Sequence, residues 1–248
     1  MKELYTGVKA GLKNGEFLTL HGDGVKYYGG NQEWFSGFPA PYDTIAELGC
    51  GDIAGCNVLL YLAGQNPQYQ NELTKAAEKR DKEGYMEFVK KITDQYLYPP
   101  KRPIVSGLTG FEIAWGMNRY FKDYKIPLGS YWSMEKEILP HIVQMLEQDI
   151  PVILSIGPLV LNKKTKWVRL KEQDMEGPSP LQKGKRDQTT SDHYVTVTEI
   201  EGGGEGAVLL TLSSWGKKFA MDYDELMRYR KKELGGRIVT NVLVIKPV

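Results

Sequence analysis

The sequence predicts an α+β protein, and three observations carry that reading. Up to about residue 150 the apolar residues recur at helical spacing, in segments bounded by capping residues, Gly or Pro. Beyond that point they fall into short β-branched runs separated by Gly, Pro and charged turns. The chain has 248 residues, 41% of them apolar and 25% charged, enough to bury a sizeable core. Helices first and strands afterwards predict a helical lobe over about 45–150 and a β lobe over about 151–248. Part of the N-terminal segment joins the β lobe, all within one domain.

Each element has a local reason. Residues 1–49 are rich in Gly, aromatic and turn residues and read as loops with one short strand. "CGDIAGCNVLLYLAG" is apolar nearly all round, which predicts a buried helix over about 51–63 stopped by Gly64 and Pro67. "YQNELTKAAEKRDKEGYMEFVKKITDQY" reads as two amphipathic helical segments around Gly84, with a break at Pro99-Pro100. Thr109 is a suitable N-cap for the helix that follows it, and Ser133 for the next. Pro140 inside that next segment predicts a kink or a late start.

"PVILSIG", "KWVRLKE", "HYVTVTEI", "AVLLTLSSW" and "RIVTNVLVI" read as strands, with "DYDELMRYRKK" a short helix between the last two. Residues 173–191 form a polar stretch too long for a hairpin loop and are expected to act as a flap.

Composition excludes several function classes. A net charge of +1 supplies no field to attract nucleic acid or an anionic membrane. No stretch is apolar enough for a signal peptide or a membrane span. The two cysteines would lie about 9 Å apart along one helix, too far to pair with each other. Free thiols without an export signal point to the reducing cytoplasm. No His, Cys and carboxylate cluster has zinc spacing, so no metal is expected. "YYGGNQ" and "EIEGGGEG" lack a P-loop's Lys-Ser/Thr and a following helix, so phosphate cradling is not expected. The stretch 162–187 holds eight Lys/Arg and four Asp/Glu and reads as a solvated basic loop.

The chemistry-bearing candidates are few. Cys50 stands between Gly49 and Gly51 at the start of the buried helix, where free N–H groups favour a thiolate and an open backbone admits a substrate carbonyl. Cys56, deeper in the same helix, reads as a small buried hydrophobe. Of the three histidines, His21 lies in a Gly-rich loop and His141 within an amphipathic helix. His193 opens a strand after the long polar segment, where its imidazole can lean into a cleft. Its distance from Cys50 along the chain falls within the ~130–150 residues that separate the two in papain-type enzymes.

"GCGDIAGCNVLLYLAG", "SDHYVTVTEI" and "LLTLSSWGKKFAMDYDEL", in that order, resemble the three motifs of papain-like cysteine peptidases, closest to the family-39 branch known from bacteriocin-processing transporters. The resemblance implies a papain-like fold with the site in a groove between the lobes. Cys50 would be the nucleophile and His193 the general base, working as a thiolate–imidazolium pair on a peptide or protein substrate without a cofactor. Ser213 stands where the family has an orienting Asn, and Trp215 where it has a shielding Trp. Thr44 occupies the usual place of the oxyanion-hole Gln, so Gln32, two residues before Trp34, is the candidate donor. Asp192 is expected to point to the opposite strand face from His193, and Glu199 lies about 20 Å along the strand, so neither replaces the orienter. Two other readings share this scaffold: a peptidase-fold protein that only binds a peptide in the groove, and a transferase that passes the acyl group to an amine or thiol.

Overall fold

The computed structural model describes residues 7–13, 17–97, 107–159, 166–175, 187–202 and 207–248. Helices α1 (Asp43–Leu48), α2 (Cys50–Gln65), α3 (Glu72–Ala76), α4 (Lys82–Gln95) and α5 (Gly110–Asp123) lie in the first half. Strands β5 (Val152–Ile156), β6 (Val168–Glu172), β8 (His193–Gly202), β9 (Val208–Ser214), β10 (Lys217–Asp222) and β11 (Val242–Pro247) dominate the second, with helices α7 (Tyr223–Lys232) and α8 (Gly236–Val239) between the last two. This is a mixed helix and antiparallel-sheet architecture.

The halves interlock more than the sequence predicts. Strand β4 (Leu128–Trp132) from the helical half pairs with β11, and β1 (Lys9–Gly11) pairs with β8. Among the described residues the sheet has nine strands, ordered β4-β11-β5-β8-β9-β10-β6-β7 with β1 beside the far end of β8. Here β7 is Asp187–Thr190. The core is continuous across residue 150: Val58 and Tyr61 of α2 belong to the same buried cluster as Val195 and Leu212 of the sheet. A division at 150 therefore follows the order of elements and not a gap in packing.

Several local expectations are corrected. Residues 17–48 are more ordered than loops with one strand: a hairpin of β2 (Thr19–Gly22) and β3 (Val25–Tyr28) leads into a 3-10 helix at Gln32–Phe35 and then α1. Gly84 lies in the first turn of α4, where a side chain would press on the capping carboxylate of Asp81; the break comes earlier, before Asp81. Helix α6 (Leu139–Glu147) starts late, with Pro140 in its first turn, the N–H-free position a helix tolerates. Ser133 does not cap it; its hydroxyl accepts the Glu135 N–H in a local turn. Thr109 caps α5 as expected, in a reciprocal box with Glu112. Of the expected flap, 187–190 is paired as β7, 173–175 and Ser191 are described outside strands, and 176–186 lies outside the described residues.

Helix α2 is buried along nearly its whole length, as its uniform apolarity requires. Two polar side chains go inside with it, and both are bonded. Asp52 accepts the Thr93 hydroxyl of α4 at 2.8 Å. Asn57 Oδ1 accepts both the Gly30 N–H at 2.9 Å and the Tyr85 hydroxyl at 2.7 Å.

Candidate active site

Cys50 is the first residue of α2 and half-buried, while Cys56 is fully buried; both thiols are free. The backbone N–H groups of Gly51 and Tyr194 face the Cys50 sulfur and favour its thiolate. Burial outweighs them, helped by the negative charges of Asp192 and Asp52, and pushes the thiol up to about 12. Asp52 itself is raised to about 7 by burial, against the bond from Thr93.

His193 opens β8 as expected and is buried. Its ring stacks flat on Trp215, with centroids 4.3 Å apart and planes 9° from parallel. Nε2 lies 2.7 Å from the Ser214 hydroxyl. Burial lowers the imidazole to about 3, so the ring is neutral.

The hydroxyl that meets the imidazole is thus that of Ser214 and not that of Ser213. The cause is strand alternation: Thr196 pairs with Ser213 across β8 and β9, so Ser213 shares the face of Thr196 while Ser214, one residue on, shares that of His193 and Val195. The Ser213 hydroxyl donates instead to the Tyr28 carbonyl at 2.5 Å. Trp215 and Gly216 then turn the chain into β10 with φ of 47° and 70°, the left-handed pair of a two-residue hairpin. That turn places the indole over the imidazole.

The segment carrying Gln32 is held from three sides. Asn57 takes the Gly30 N–H, Ser213 bonds Tyr28, and the Gly216 N–H donates to the Gly30 carbonyl at 3.0 Å. A side chain at Gly30 would overlap the Tyr85 ring, which is why "YYGGNQ" carries glycine there. Trp34 meets Tyr85 edge-on with centroids 5.9 Å apart. Gln32 Nε2 donates to the Ala46 carbonyl at 2.9 Å; the same amide carries a second N–H.

Cys50, His193, Gln32, Ser213 and Ser214 all line one crevice, so residues from four distant parts of the chain converge. Its open volume is about 10 Å³. No hydrogen bond joins the Cys50 sulfur to the imidazole among the described residues: the sulfur faces backbone N–H groups and the ring faces Ser214. The expected thiolate–imidazolium pair is replaced by a neutral thiol and a neutral ring. Asp192 acts on Cys50 through its charge and makes no bond to His193.

Sequence reasoning missed Ser214, Asn57 and Thr196. Ser214 could not be told from Ser213 by sequence, since the choice depends on the register between β8 and β9. His21 lies on β2 and is exposed. His141 lies on α6, with Nε2 3.2 Å from Glu135 Oε2. Among the described residues no group of three or more His, Cys, Asp or Glu could hold a metal ion, and no helix is long and apolar enough to cross a membrane. Comparison of the chain with protein-family models, with curated proteins and with solved structures finds no match.

Proposed function

We propose that the protein is an acyl-transfer enzyme of the papain-like cysteine-peptidase kind, hydrolysing a peptide or amide bond through Cys50 and His193. The observation that carries the reading is the convergence of Cys50, His193 and Gln32 on one crevice, with two backbone N–H groups turned toward the sulfur.

The roles follow from the geometry. Ser214 engages Nε2, which assigns Nδ1 as the nitrogen that receives the thiol proton. Cys50 attacks the substrate carbonyl as that proton moves, forming a C–S bond while the carbonyl oxygen takes negative charge. The second N–H of Gln32 and backbone N–H groups at the helix start stabilise that oxygen. Return of the proton from His193 to the leaving nitrogen breaks the C–N bond, and water then releases the acyl group.

Burial raises the thiol and lowers the ring, so moving the proton from one to the other is uphill in this crevice. An open volume of about 10 Å³ is also narrow for a peptide chain. Reaction therefore requires the α2 and β8 walls to part, which lets water and substrate in and relaxes both shifts. The same two observations favour the second reading, a protein that binds a peptide over this crevice without cleaving it.

Acylation by an activated ester, followed as mass added to the intact protein, separates them. The enzyme reading expects a covalent adduct on Cys50 that Cys50→Ala abolishes and His193→Ala slows by ~100-fold or more. An adduct that forms equally fast in His193→Ala, or none in the wild type, defeats it.

A further inference from the structure

One group in the crevice has incomplete bonding. Thr196, three residues beyond His193 on β8, is 1% exposed, and its Oγ1 makes no hydrogen bond to protein among the described residues. Native proteins rarely leave a buried hydroxyl in that state, because the lost hydration is not replaced. Thr196 lines the crevice together with Gly30, Asn57 and Ser213. Two of these neighbours can serve a small polar guest. Ser213 Oγ spends its proton on the Tyr28 carbonyl and retains lone pairs that accept. Asn57 uses Oδ1 for Gly30 and Tyr85 and carries an amide N–H₂ that donates.

Size decides what the guest is. The open volume of about 10 Å³ is close to the minimum for one water.

We propose that the crevice is a binding site for a single water molecule, held by Thr196 Oγ1 and by the side chains of Asn57 and Ser213. The water sits where three elements meet: the helix that begins with Cys50, the strand that begins with His193, and the segment that leads to Gln32. It is a hydrogen-bonded spacer among them, and it does not depend on the acyl-transfer reading, since its bonds are the same whether or not the sulfur reacts.

Two measurements on the full chain test this. One is a high-resolution crystal structure of the wild type, examined for density within hydrogen-bond distance of Thr196 Oγ1. The other is the melting temperature of Thr196→Val, which keeps the side-chain shape and deletes the hydroxyl. Removing a water-bonded hydroxyl lowers the Tm, by about 2–4 °C for a domain of this size. Removing an unbonded one relieves a penalty and raises it. The proposal stands if density is present and the variant melts lower, with Thr196→Ser melting between the two. A dry crevice, or a Val variant melting at or above the wild type, overturns it.

Discussion

The resting state of Cys50 offers the sharpest test of the site, because burial and an imidazolium partner push the thiol in opposite directions. With the thiol raised from 9.0 to about 12, the thiolate fraction at pH 7 is about one part in 10⁵, against about one in 10² for an unshifted thiol. Alkylation by iodoacetamide, followed by intact mass and peptide mapping, should thus run about 10³-fold slower at pH 7 than for an unstructured cysteine peptide. Its rate should rise tenfold per pH unit with no plateau below pH 10. A wild-type plateau below neutral pH, or labelling at pH 7 as fast as that of the free peptide, would refute the neutral-pair description.

Two further outcomes follow from the bonding and burial around the crevice. Ser214→Ala strands a buried ring nitrogen at a cost of about 1–3 kcal/mol and slows Cys50 acylation, whereas Ser213→Ala frees the Tyr28 carbonyl and lowers stability with a smaller effect on the reaction; denaturant melts beside single-turnover acylation separate the two. Asp52, raised from 3.8 to about 7 when folded, binds a proton that the unfolded chain has released between those values, so it removes stability as pH climbs through that window. His193, lowered from 6.5 to about 3, acts in the opposite sense, removing stability as pH falls below about 6.5. Asp52→Asn should abolish the first slope, leaving urea stability that rises more steeply from pH 4 to 6.5 than in the wild type.

Much of the architecture was legible in the residues themselves. The α2 helix announced itself by uniform apolarity, β8 and β9 by β-branched runs, and the Thr109 cap by its own hydroxyl. Cys50 and His193 stood out as candidates because a thiol flanked by glycines and a strand-opening imidazole are unusual, and both line one crevice. What escaped depends on pairing between distant segments. Strand β4 has an ordinary "LGSYW" sequence and becomes a strand because β11 supplies its partners. Arg230 looks like one more cation on a charged helix, yet it is buried and donates to the carbonyls of Glu135, Lys136, Arg237 and Thr240. The choice between Ser213 and Ser214 turns on a register of one residue, which reverses every side chain of a strand. Motif position alone could not supply that register.

The hairpin turn at Trp215 and Gly216 has a mechanical corollary. Because the indole covers the imidazole through a left-handed backbone pair closed by β9 and β10, the ring is not an independent rotor. Any tilt of the imidazole must be shared with the hairpin tip. The rate of that tilt is then set by how readily a two-residue turn flexes, on the timescale of loop motion and not of side-chain hopping.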